Sequence, residues 1–261
     1  MTIRNISAAA ILMASAVSAA QTGPPRNDAD FIGLTTPFVL GKDKSQVGLQ
    51  VNAFGGSDQL LRTGVSLAHG LADNWQVKIA GTFARFDTFD LGSGQSIGYG
   101  GSAGDLLWKY RSPGTIDFAI EAGLGYSNTP AQEQKVETLA SLSASYSVAS
   151  GLQVYVNPKL VTLIDNPLFA VAIGANVDVA PGISLFGDWT PYVSGDNSLS
   201  TADGSRVKQQ LYAFGVRFSK LAGGLAVDVA YTNIIGQTAG FSLTPSLGNT
   251  GGLYVGLAYG F

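Results

Sequence analysis

Between Lys44 and Phe261 the chain repeats one pattern: large apolar residues alternate with small or polar ones, and each run ends in turn residues. Alternation with a period of two predicts a strand with one apolar face. The first three runs place Val47, Leu49, Val51 and Ala53, then Leu61, Thr63, Val65 and Leu67, then Trp75, Val77, Ile79 and Phe83 on that face. The fourth carries Leu106, Trp108 and Tyr110. The fifth is the clearest, with Ile116, Phe118, Ile120, Ala122, Leu124 and Tyr126 set against Asp117, Ala119, Glu121, Gly123 and Gly125. Six more follow, on Val136 to Tyr146, Leu152 to Leu160, Phe169 to Val179, Ile183 to Trp189, Tyr212 to Phe218 and Leu225 to Tyr231. The twelfth closes the chain, with Leu253, Val255, Leu257, Tyr259 and Phe261 against Tyr254, Gly256, Ala258 and Gly260. Each run is roughly 9–13 residues, long enough to cross a bilayer at a tilt.

The connections alternate in length. Short ones fall at Asp73-Asn74, Pro113-Gly114, Ser150-Gly151, Pro181-Gly182 and Gly223-Gly224, where Gly, Asn or Pro suits a hairpin turn. Longer polar ones begin at Asp87, Ser127, Ser194 and Ile234, although those near Gly55 and Asp165 are brief. Short turns at one end and long loops at the other are the habit of outer-membrane barrels. Trp75, Tyr110, Phe218, Tyr259 and Phe261 lie towards the short turns, and Tyr126, Trp189 and Tyr231 towards the long loops. That placement suits two interfacial girdles, although aromatic residues also favour strands for their own sake.

Composition turns the pattern towards a membrane. Charged residues make up 13% of the 261 and hydrophobic ones 46%, with 34 glycines and a net charge of −3. A soluble domain carries about 25% charge. The face opposite the apolar one is rich in Gly, Ala and Ser, unlike a soluble surface, and the last strand lacks the charges or Pro that guard a free edge. Without Cys there is no disulfide framework or thiolate site, and a single histidine, His69, argues against an imidazole zinc site. No basic patch points to nucleic acid.

The first residues, MTIRNISAAAILMASAVSAAQ, have a positive start at Arg4, a short apolar run and small residues near Ala19. They read as a secretory signal, residues 1–20. Residues 21–43 are then expected to form an N-terminal periplasmic segment, and residues 44–261 the barrel. The expected fold is all-β, a transmembrane antiparallel up-and-down β-barrel of about twelve strands. It is placed in the cell outer membrane, with the lipid bilayer, the barrel-assembly machinery and periplasmic chaperones as partners.

On this reading the lumen receives Arg62, Lys78, Asp105, Lys109, Asp117, Glu121, Lys135, Glu137, Lys159, Asp178, Asp188, Arg217 and Asp228. The plainer role for such mixed charges is to pair across a polar interior. The sharper one is to set a field that selects solutes. Twelve strands lie between the filled eight-stranded and the open sixteen-stranded cases.

Chemistry is sparsely signalled. There is no GxSxG, and His69 beside the GLADN turn has the look of a polar turn residue. The Gly-rich SIGYGGSAGD is followed by no helix, so it lacks the phosphate-binding mechanism. The acidic loop SGDNSLSTADGS does not keep the spacing of a calcium-binding EF-hand. No cofactor is expected.

Three stretches carry a family likeness. HGLADNWQVKI (His69 to Ile79), GSAGDLLWKYR (Gly101 to Arg111) and TTPFVLGKDKSQVGLQ (Thr35 to Gln50) resemble a family of Gram-negative outer-membrane barrels. That family is labelled as outer-membrane proteins of the phenol-degradation meta-pathway, or as transporters. The resemblance implies uptake of aromatic or hydrophobic compounds and supplies no catalytic or binding residue. The terminal set Leu253, Val255, Leu257, Tyr259 and Phe261 is similar to the signal read by the barrel-assembly machinery. The leading expectation is a passive channel for a small solute. The alternatives are a closed structural or adhesion barrel with no through-path and, behind it, an outer-membrane hydrolase built on His69.

Overall fold

The computed structural model describes residues 30, 32–54, 60–90, 96–128, 136–162, 166–200, 202–221 and 224–261. In chain order the strands are β1 (Ser45–Phe54), β2 (Leu60–Ala72), β3 (Trp75–Asp90), β4 (Ser96–Ser112), β5 (Ile116–Asn128), β6 (Glu137–Ala149), β7 (Leu152–Thr162), β8 (Leu168–Ala180) and β9 (Ile183–Thr190). Three short strands follow, β10 (Tyr192–Ser194), β11 (Ser198–Leu199) and β12 (Arg206–Val207). The chain ends with β13 (Leu211–Leu221), β14 (Leu225–Thr232) and β15 (Gly252–Gly260).

Twelve of these close on themselves. β1 to β9 pair in sequence order, β9 pairs with β13, then β14, then β15, and β15 returns to β1, every pairing antiparallel. The closing ladder sets Val47 against Tyr259 and Leu49 against Leu257. It continues to the last residue, because Phe261 and Ser45 exchange both backbone bonds, at 2.8 and 2.9 Å. Closure leaves no free edge, so the final strand needs no guarding charge.

The alternation read from the sequence sets the two faces. Leu49, Ile79, Phe83, Ile120 and Leu124 are all more than half exposed on the outer surface. The residues between them are buried inside the barrel, Asp105, Lys109, Glu121 and Arg217 among them. An apolar belt around a polar interior is stable only if the belt meets hydrocarbon. Aromatic rings crowd both rims. Trp75 and Tyr110 lie 4.8 Å apart, and Tyr259 stacks on Phe261 at 6.0 Å, at the short-turn end. Tyr212, Phe214 and Tyr231 cluster at the long-loop end.

One strand carries a local repair. Pro158, inside β7, has no N–H to give to the neighbouring strand, which would leave the Leu142 carbonyl opposite it without a donor. The side chain of Asn157 supplies that bond, its Nδ2 donating to the Leu142 oxygen at 3.0 Å. The Asn157 oxygen is thereby aimed into the lumen.

Candidate functional site

The lumen is not an empty pore. Residues 30 and 32–40, read from the sequence as a periplasmic segment ahead of the barrel, run inside it. A turn over residues 41–44 reverses the chain: Lys44 N–H donates to the Gly41 oxygen, and Asp43 takes a left-handed φ of 60°, which a short acidic residue tolerates. Asp43 N–H and the Lys44 carbonyl then pair with Gly70 of β2, which fixes the turn to the rim. From there the segment enters at the short-turn end. Ile32, Leu34 and Thr36 are at most 2% exposed.

The wall holds this segment by its polar side chains. Gln76 Oε1 accepts from Leu40 N–H at 2.9 Å, and Asn157 Oδ1 accepts from Thr35 N–H at 2.9 Å. Lys159 Nζ donates to the Gly33 carbonyl at 3.0 Å. Lys109 Nζ donates to the Thr36 carbonyl at 3.2 Å and lies 2.9 Å from the Asp30 carboxylate, which Lys78 approaches at 3.2 Å. Burial alone would push the Asp30 carboxyl up; the Lys109 and Lys78 ammonium groups outweigh it and hold it below the usual carboxylate range. Arg111 covers the Phe38 ring at 5.3 Å.

A second insertion comes from the long-loop end. The connection between β14 and β15, residues 233–251, folds into the barrel and buries Ile234, Ile235, Phe241 and Leu243 almost completely. Two backbone N–H groups of this loop point at wall carboxylates: Ala239 N–H donates to Asp105, and Gly240 N–H donates to Glu137 at 2.9 Å. Glu137 is steadied by the Ser127 hydroxyl at 2.8 Å. Asp105 and Glu137 reach the loop from either side of Gly125, their shared register neighbour; a Cβ there would collide with the Asp105 carboxylate. The Arg62 guanidinium covers the loop's Phe241 ring at 5.9 Å. Tyr192 and Asn197 hold the Leu243 carbonyl from the β9–β13 connection.

The two insertions meet at mid-height. A Cβ on Gly33 would fall 2.5 Å from Ile234 Cδ1 of the loop and 2.6 Å from Asp188 Oδ1 of the wall, so a larger residue there would have to displace both side-chain ends. Ile32, Leu34, Ile234 and Leu243 belong to one buried apolar cluster with the wall residues Leu107 and Leu139. A cavity of about 20 Å³ remains between the insertions, bounded by Asp30, Lys78, Glu121 and Lys159 on one side and by Gln237 and Ala239 on the other. That is room for about one water molecule.

Of the charged positions read from the sequence, Lys78, Lys109, Glu121, Lys159 and Asp188 gather around the segment, and Arg62, Asp105 and Glu137 around the loop. Arg111 pairs with Asp117 at 2.9 Å and Arg217 with Asp228 at 2.8 Å, wall to wall. Asp178 is exposed at the short-turn rim beside Gly151, and Lys135 lies outside the described residues. His69 sits at the same rim, its Nδ1 2.9 Å from the Ser45 hydroxyl. Sequence reasoning missed Asp30, Gln76, Asn157 and the loop amides of Ala239 and Gly240. A signal existed for the loop: Ile234, Ile235, Phe241 and Leu243 are more than a water-facing connection needs.

No family model matches the chain, and no curated protein matches it in sequence. Its fold is matched among solved structures. The KdgM porin superposes with a TM-score of 0.57 at 8% identity, covering 83% of this chain and 99% of the porin. The NanC porin gives 0.55 at 7% identity, covering 82% and 98%. The COG4313 outer membrane channel from Pseudomonas putida F1 gives 0.53 at 12% identity, covering 92% and 100%. At such identities the likeness is one of fold, and it places this chain in the architecture of outer-membrane porins and channels.

Proposed function

We propose that the protein is an outer-membrane channel for a small solute, captured here in a shut state. One observation carries this reading. Several polar wall groups are spent on pieces of chain that belong to no barrel strand. Lys78 and Lys109 bind Asp30, Asn157 and Lys159 bind the backbone of residues 33–35, and Asp105 and Glu137 bind loop amides. A barrel meant only to be solid is stable with its charges paired wall to wall, as Arg111–Asp117 and Arg217–Asp228 are. Removable insertions in a polar lumen are instead the parts of a gate. The apolar belt suits a bilayer, a start read from the sequence as a secretory signal suits the outer membrane, and the likeness to the phenol-degradation family suits an apolar or aromatic solute.

The two insertions stand in series, so the path opens when both leave. In planar bilayers the unaltered protein is expected to give rare, brief current steps. Asp30→Ala, which weakens the segment, and Glu137→Gln, which weakens the loop, should each raise their frequency, and the double variant should exceed the sum. Silence from every variant, each shown to be folded, would favour the second reading, a solid barrel whose loops form an adhesion surface.

A further inference from the structure

The Asp30 carboxylate marks a ligand site. It rests between two lysines of adjacent strands, Lys109 Nζ at 2.9 Å and Lys78 Nζ at 3.2 Å, and also accepts from Thr36 N–H of its own segment at 3.0 Å. Lys159 lines the same small cavity. The side chain of Lys109 is only 2% exposed. Three ammonium groups therefore converge here, against the wall carboxylates Glu121, 3.8 Å from Lys109, and Asp188, which borders Gly33 beside the Lys159 contact. Asp117 and Asp228 are committed to Arg111 and Arg217. Asp105 also faces Lys78 but is bound by the Ala239 N–H of the loop, so Asp30 is the carboxylate that Lys78 and Lys109 hold in common.

When the segment withdraws, these contacts go with it. Lys78 and Lys109 lose Asp30, Lys109 also loses the Thr36 carbonyl, and Lys159 loses the Gly33 carbonyl. Lys78 and Lys109 then lack the carboxylate they share, with Glu121 3.8 Å from Lys109 and Asp105 bound by the Ala239 N–H of the loop. A buried ammonium group that has lost its nearest anion is costly unless another anion joins it. The space left behind is not uniformly polar. Ile32, Leu34 and Phe38 leave with Asp30, and they pack in one apolar cluster with Leu107, Leu139, Tyr155 and Phe186 of the wall. The segment thus presents a carboxylate with apolar bulk beside it, and the wall is shaped to both.

We infer that Lys78, Lys109 and Lys159 form a lumen site for a small organic carboxylate with an apolar body, and that Asp30 with Ile32 and Leu34 occupies it in the shut state. The inference rests on the channel reading and names the solute class for the same lumen. A carboxylate solute and the segment compete for one site, so arrival of the solute favours the open path.

The test is calorimetry on the full exported chain in detergent micelles, with benzoate as probe and benzamide as its neutral isostere. Heat-modifiable gel migration checks that each variant is folded. Asp30→Ala should bind benzoate at least about tenfold more tightly than the unaltered protein does, and at least about tenfold more tightly than it binds benzamide. Adding Lys109→Met should remove that preference, and if this variant does not fold, Lys78→Gln should weaken it by about tenfold. If Asp30→Ala does not fold, Asp30→Asn takes its place. Equal binding of benzoate and benzamide by the folded variant, or none of either, overturns the site. Calorimetry needs no current. A barrel that prefers benzoate but never conducts keeps this site and loses the channel reading, and one that conducts without the preference does the reverse.

Discussion

Lys109 holds Asp30 at 2.9 Å across a sequence separation of 79 residues. A residue of the barrel wall grips a residue that belongs to no strand, and the inserted segment occupies the lumen where they meet. Removing one partner of a buried ion pair leaves the other charge uncompensated, which is commonly worth several kcal/mol. Solvent reaches 16% of the Asp30 side chain, so a smaller effect applies here.

The segment should therefore loosen when Asp30 is changed. The chain has no cysteine, so Thr36→Cys, at a position 1% exposed, creates a single reporter thiol. Labelling by a maleimide should be slow in the Asp30-containing protein and at least about tenfold faster with Asp30→Ala. Equal rates would mean that the wall lysines do not hold the segment.

The outer belt makes a second prediction. Ile120, at the middle of β5, is 60% exposed. Ile120→Lys should destabilise the barrel in lipid by about 2–4 kcal/mol, measured by denaturant unfolding in vesicles. On a water-facing surface the same change costs within about 0.5 kcal/mol. A small effect in vesicles would argue against a bilayer around this face.

The terminal set Leu253, Val255, Leu257, Tyr259 and Phe261 faces outward along β15, with Tyr259 and Phe261 stacked at the rim. Read as an assembly signal, it acts before the barrel exists. Phe261→Ser should lower the amount of protein in the outer-membrane fraction of cells severalfold. The backbone pairing with Ser45 does not use the ring, so the refolded variant should unfold within about 1 kcal/mol of the unaltered barrel. A refolded barrel weakened as much as its yield would make the residue structural only.

The barrel was legible in the sequence for a physical reason. Each strand carries its own evidence, since Ile116 to Tyr126 alternates whether or not its neighbours are known, and a period of two leaves one way to face lipid. The two insertions were not legible, because their parts are recognised only by remote partners. Asp30 gains meaning from Lys78 and Lys109, Thr35 from Asn157, and Glu137 from the Gly240 amide, 103 residues away. The charges themselves could be assigned to the interior from their alternation. Which of them pair wall to wall, and which hold the inserted segment, depends on the path of residues 30 and 32–40, and no periodicity encodes that path.

The central claim is that the segment shuts the path and that its departure helps to open it. The direct measurement is current through Thr35→Cys/Asn157→Cys in the Asp30→Ala background, recorded in planar bilayers before and after reduction. The Thr35 backbone N–H lies 2.9 Å from the Asn157 side-chain oxygen, which brings the two positions close, and a disulfide that forms between them ties the segment to β7. The account predicts no current steps while the bond is closed and steps that appear on reduction. Current that is unchanged by reduction, with the bond verified, would contradict it.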